Sequence, residues 1–144
     1  MLFRSGEVTL HVEVVVADRE LWAGEANMVI AKTLEGDIGI LTGHPPVLGI
    51  LAEGSIVRIM DPEGPADGDG ESSREVTAAV SGGFLSVADD QISILAVDAQ
   101  LGSEVDKSAA QSSLDSALSD GGQGEEPSEA KYARAQLRAA GEQA

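Results

Sequence analysis

At 144 residues the chain can hold one domain with a real core and a small appendage, and a hydrophobic content of 42% suits a soluble globular protein. A net charge of −16 repels nucleic-acid phosphates and anionic lipid alike, and the absence of cysteine removes disulfides, thiolate catalysis and cysteine-based metal sites, as in a cytosolic chain. Aromatic residues make up only 3%, so Val, Ile, Leu and Ala must build the core.

The N-terminus, MLFRSGEV, carries one Arg but no apolar run of signal-peptide length. No window holds the roughly 18 apolar residues of a membrane span, so membrane association is expected only through a partner. From Thr9 the sequence TLHVEVVV alternates, with Leu10, Val12, Val14 and Val16 on one side and His11 and Glu13 on the other, the pattern of a half-buried strand. Similar runs follow at Met28–Ala31, Asp37–Leu41, Val47–Leu51, Ser55–Met60, Glu75–Val80, Gly83–Val87 and Gln91–Val97. Turn residues break them at Leu34-Glu35-Gly36, Glu53-Gly54, Ser81-Gly82-Gly83 and Asp89-Asp90. Short strands at this spacing, with no helical period between them, predict an antiparallel β-sandwich or flattened barrel.

The segment DPEGPADGDGESSRE, 61–75, has two Pro, three Gly and six acids and reads as a solvated loop between strands. Its DGDGE resembles the start of a calcium loop, but with Asp67 first the required Gly falls on Ser72 and the bidentate Glu on Ala78. After Gly102 the composition turns to Ala, Ser, Gln and charges. Ser103 with Asp106 reads as a capping-box-like start, and Ala110, Leu114, Ala117 and Leu118 recur at helical spacing. The stretch 119–128 is a turn, and Pro127-Ser128 opens a second helix with Ala130, Ala133, Leu137 and Ala140 on one face. The expected architecture is therefore segregated α+β: a β-sandwich over 1–101 and a helix–turn–helix over 103–141.

Chemical motifs are few. The glycines of GDIGILTGHPPVLGIL do not lead into a helix, and no Lys-Ser/Thr follows to meet phosphate and metal. They suit positions needing positive φ or close backbone approach. His44 has no nucleophile or orienting carboxylate nominated beside it, so its ring is expected to hydrogen-bond within a turn stiffened by Pro45 and Pro46. Asp89-Asp90 fits a hairpin turn better than a catalytic carboxylate pair. Neither a catalytic site nor a metal or cofactor site is expected.

Three segments together resemble the ε subunit of F-type ATP synthases: Leu10–Ile59, with its EGDIGILTGHPPVL; Ala79–Gln100, with SGGFLSV and ISILA; and the helical tail. The resemblance implies a non-catalytic rotor subunit on the cytoplasmic face of the bacterial cell membrane. Its β-sandwich would pack on the shaft subunit γ and rest on the c-subunit ring, coupling proton flow to ATP synthesis. It further implies that the turn Glu35–His44 faces the polar loops of the ring, with Glu35, Asp37 and His44 as its candidate residues. In the tail, Lys131, Arg134 and Arg138 fall within about 60° of one another on a helix. These are three of the nine Lys and Arg residues, and the resemblance sets them against the catalytic β (and α) subunits, restraining ATP hydrolysis. The bland alternative for this stripe is a solvated face.

In ε subunits that bind ATP, the first tail helix resembles Ile/Leu-Asp-x-x-Arg-Ala. Here Val105-Asp106-Lys107-Ser108-Ala109-Ala110 puts Ala109 where the arginine belongs, so no ATP site is implied. The competing reading is an independent ligand-binding β-sandwich, a carbohydrate or metal module. Its aromatic candidates, Phe3, Trp22, Phe84 and Tyr132, are scattered along the sequence.

Overall fold

The computed structural model describes residues 9–60, 75–121 and 127–141. Ten strands come first: β1 (Leu10–Val16), β2 (Arg19–Ala26), β3 (Met28–Thr33), β4 (Gly36–Leu41), β5 (Val47–Leu51), β6 (Ser55–Met60), β7 (Glu75–Val80), β8 (Gly83–Ala88), β9 (Gln91–Ala96) and β10 (Ala99–Leu101). A 3-10 turn at Gly102–Glu104 leads to helices α1 (Lys107–Gly121) and α2 (Ser128–Ala139). All the strands share one sheet in the order β10-β7-β6-β3-β5-β8-β9-β1-β2, with β4 branching from β3. The two ends of this path meet: β2 contacts β10, and Arg19 lies 3.9 Å from Glu104. The sheet thereby curls into a sandwich that is nearly a closed barrel.

Period-two patterning decides which face turns inward. Leu10, Val12 and Val14 of β1 are buried, as are Val57 and Ile59 of β6, Leu85 and Val87 of β8, and Ile92 and Ile94 of β9. They form one aliphatic core with Val29, Ile40 and Leu51, drawn wholly from residues 10–101. A second, smaller cluster belongs to the tail alone, where Ala110 and Leu114 of α1 meet Ala130, Ala133 and Leu137 of α2.

Several expectations are corrected. The strand β2 is absent from the alternation because the register shifts between Val14 and Val15, so that Val14 faces Trp22 while Val15 faces Glu20. Leu21 is the extra, buried residue of this bulge and breaks the two-residue period. The short β10 was also not anticipated, and β1 pairs with β9 in parallel rather than antiparallel. The first helix starts later than expected: Asp106, not Ser103, caps it, accepting the Ala109 N–H at 3.1 Å, while Gly102–Glu104 stays tied to β10 by the Leu101 N–H on Glu104. Most of the acidic segment, 61–74, lies outside the described residues. Its last residue, Glu75, opens β7 and pairs with Arg58 at 3.2 Å, and Ala78 is buried in the same strand.

The turns follow their residue chemistry. Ala88 faces Gln91 across β8 and β9, so Asp89-Asp90 is a two-residue hairpin loop, and both residues adopt positive φ (52° and 63°). That is the geometry matching the right-handed twist of the flanking strands.

Candidate functional site

The β3–β4 hairpin presents Glu35 on a two-residue turn closed by Thr33 and Gly36. Thr33 Oγ1 accepts the Glu35 N–H at 3.1 Å and donates to the Gly36 carbonyl at 2.8 Å, which locks the tip. Asp37, exposed on β4, stands directly across from Lys32. His44 lies elsewhere. Because Gly36–Leu41 is a strand, Glu35 and His44 stand at opposite ends of it, separated by roughly 20 Å at strand rise. The segment from Glu35 to His44 is therefore not a single turn: Glu35 and Asp37 lie together at the β3–β4 hairpin, and His44 stands at the far end of β4.

Around His44 the hydrogen bonds are local. Its Nδ1–H donates to the Pro45 carbonyl at 2.7 Å, its backbone N–H to Leu41 at 3.2 Å, and the neighbouring Gly43 N–H to Asp90 Oδ1 at 2.7 Å. The loop is thus stapled to the β8–β9 hairpin. The opposite end collects the β1–β2, β3–β4, β5–β6 and β9–β10 turns, which carry Asp18, Glu35, Glu53 and Asp98. That end is acidic.

The basic stripe of α2 is neither isolated nor diametrically opposed to the alanine face. Ala130, Ala133 and Leu137 pack on α1, whereas buried Ala135 belongs to the side lying over β6 and β7. Lys131, Arg134 and Arg138 flank both contacts. The Lys131 ammonium is 3.9 Å from Glu53, and Arg138 shares a cavity with Lys32, Asp37, Glu53 and Arg58. Beside the stripe, Tyr132 is half-buried; burial, then the nearby Asp98 carboxylate, raises its phenol above the ordinary value of 10.0.

One surface escaped the sequence reading. On the outer face of β5, β8 and β9, Ile50 faces Phe84 and Phe84 faces Leu95, a row of exposed apolar side chains across three strands. Leu48 (73% exposed) and Val97 (70%) extend it, and the Leu34 N–H on the Ile50 carbonyl brings Leu34 alongside. A groove of about 210 Å³ between Leu34, Ile38, Leu48 and Ile50 has Glu35 at its lining. The signal was present in VLGIL and GFL, where adjacent apolar residues replace the apolar/polar alternation of a one-sided strand.

Aromatic residues form no common platform among those described: Trp22 packs into the core over Gly24, Phe84 points outward from β8, and Tyr132 is on α2. Phe3 lies outside the described residues.

Residues 9–102 match the family model of the ATP synthase delta/epsilon chain β-sandwich domain. The chain is 49% identical over 133 residues to the ATP synthase epsilon chain of Thermobifida fusca, covering 91% of each. The chain belongs to the ATP synthase ε family. The epsilon chain of Mycobacterium avium is 37% identical and aligns over 92% of this chain and 95% of its own length, so the likeness extends through the tail. Among solved structures, a chain of the Euglena gracilis mitochondrial ATP synthase (OSCP/F1/c-ring) shares the fold, with a TM-score of 0.65 at 20% identity over 92% of this chain and 79% of that one. A chain of the Tetrahymena thermophila mitochondrial ATP synthase central stalk and c-ring does so at 0.52 and 18%, over 91% and 90%. Ala109 stands exposed in the first turn of α1, its backbone N–H bonded to Asp106.

Proposed function

We propose that the chain is a central-stalk subunit of an F-type ATP synthase, without catalysis of its own, turning with the shaft subunit γ and the c ring at the cytoplasmic face of a bacterial membrane. The observation that carries this reading is the exposed Leu48–Ile50–Phe84–Leu95–Val97 row on a barrel whose inner face is otherwise filled. An apolar surface of this kind on a soluble chain marks a protein contact. It offers γ a flat seat with Phe84 at its centre. The acidic end with Glu35 and Asp37 then faces basic groups on the ring's polar loops, and His44, at the far end of β4, takes no part there. The tail restrains hydrolysis through Lys131, Arg134 and Arg138 against acidic groups of the catalytic subunits, and it carries no ATP site. Charge complementarity supports both contacts, in a chain of net charge −16 with three of its nine Lys and Arg residues on one stripe of α2.

The test is co-purification of the tagged full chain with γ. Wild type is expected to retain γ, and the double variant Ile50→Ser/Phe84→Ser to lose it by about a hundredfold in affinity, as for central apolar contacts. A chain that brings down no γ would turn the reading toward a free ligand-binding module.

A further inference from the structure

The apolar row on the outer face does not end at β9. Parallel pairing sets Leu95 beside Val15, so the row Ile50–Phe84–Leu95 runs on to β1. Along the same strands the face then changes character in two-residue steps. The next row reads Ser86, Ser93, Glu13, and the one after it Gln91, His11, Glu25. Here a trough of about 560 Å³ opens, and Ala23, opposite Glu13 on β2, is small enough to leave it empty. Two carboxylates line it from diagonal positions: Glu13 lies opposite Ala23 and Glu25 opposite His11, which sets their Cβ atoms about 7 Å apart. Each is oriented by a hydroxyl. Ser93 Oγ donates to Glu13 at 3.1 Å and Thr9 Oγ1 to Glu25 at 2.9 Å, bonds that fix a carboxylate's direction and leave its charge in place. His11 Nδ1, 3.8 Å from the second Glu25 oxygen, closes the far side.

We propose that this trough sets the register of γ on the barrel: it takes one basic side chain of γ, an arginine, while Phe84 takes an apolar one. Apolar contact is non-directional, so the row by itself would accept γ in several positions. A pair of oriented carboxylates at a fixed distance from Phe84 admits one. Glu13 stands two strands and one two-residue step from Phe84, about 12 Å across the sheet. That is about two turns of a helix, so a γ helix with an apolar residue and an arginine seven or eight positions apart would meet both. Arginine suits the trough better than lysine, because its planar guanidinium presents donors toward both carboxylates and is more weakly hydrated than an ammonium. The inference rests on the reading of this chain as a partner of γ, and adds the chemistry and the place of a second contact.

Titration of the full chain with γ at low and high salt tests it. The double variant Glu13→Gln/Glu25→Gln keeps both hydroxyl bonds and is expected to weaken binding by about ten- to hundredfold at low salt and to flatten its salt dependence. Ala23→Leu fills the trough without touching a charge and is expected to weaken binding by about tenfold at either salt. Asp115→Asn/Glu129→Gln removes the same charge from exposed positions on the tail helices and should leave affinity within about twofold of wild type. Urea midpoints at the wild-type value show that each variant is folded. Wild-type affinity in Glu13→Gln/Glu25→Gln, or an equal loss in the tail pair, overturns the proposal. If Ile50→Ser/Phe84→Ser loses γ while the trough variants keep it, the apolar seat stands and the trough has no part in it. A wild-type chain that binds no γ takes down both.

Discussion

Single positions carry much of what holds this chain in shape. Gly83 has φ 148°, and a Cβ there would drive into the Leu95 carbonyl of the neighbouring strand. Gly83→Ala should therefore cost about 3 kcal/mol, combining backbone strain with overpacking, and show as a lower urea midpoint. Tyr132 gives a pH signature. Burial favours the neutral phenol, so the folded chain keeps that proton to higher pH than the unfolded one. The associated stability is complete below the ordinary value of 10.0 and is lost as pH rises from there through the raised folded value. Tyr132→Phe should flatten that alkaline loss, measured as urea midpoints from about pH 9 to 11. Ala109 leads to a third expectation. Titration with Mg-ATP should produce no saturable NMR shifts confined to 103–141 at sub-millimolar nucleotide, and such shifts would mean that another cation meets the phosphates.

The elements divide sharply in how legible they were. Strands with one clean inward face, such as Leu10–Val16 and Gln91–Ala96, stand out in the sequence because burial alternates along them. RELWAGEA does not, because the bulge at Leu21 spoils the period and Gly24 stands in mid-strand, under the indole of Trp22. The helix pair is visible from alanine and leucine spacing, yet its start is misplaced, since Ser103 and Asp106 both suit a helix cap and only the tie of Glu104 to Leu101 of β10 decides between them. Site residues fared differently. The chemistry of Glu35, Asp37 and His44 was readable, and Asp37–Leu41 already reads as a strand, but the resemblance joins the three residues in one turn, whereas β4 holds His44 at the far end from Glu35 and Asp37. The two cores predict a divisible molecule. A chain ending at Leu101 should still unfold cooperatively, losing about 1–3 kcal/mol for uncovering Ala79 and its neighbours. Loss of a cooperative transition in that truncation would show that the tail is part of the main folding unit.

At the scale of the whole molecule, charge and apolar surface occupy different sides and meet where Glu35 borders the groove of Leu34, Leu48 and Ile50. The apolar row occupies the outer face of β5, β8 and β9, the acidic turns one end, and the basic stripe the flank of α2. Replacing Lys131, Arg134 and Arg138 together with Ala should raise ATP hydrolysis by the assembled complex while leaving γ binding intact. Hydrolysis equal to that of the wild-type complex would return the stripe to a role in solubility and helix docking. The parallel pairing of β1 with β9 has a different kind of consequence. Glu13 and Ser93, bonded at 3.1 Å, are 80 positions apart in sequence. As the chain leaves the ribosome, β1 can zip to β2 at once, but its other edge must wait until β9 has emerged. For most of synthesis the nascent chain therefore carries one open strand edge rich in valine, the kind of surface that chaperones hold and that crowded chains exploit to aggregate. Closing so distant a pair also sets a slow pace for the last step of folding. The protein's most exposed moment comes before its rotor exists.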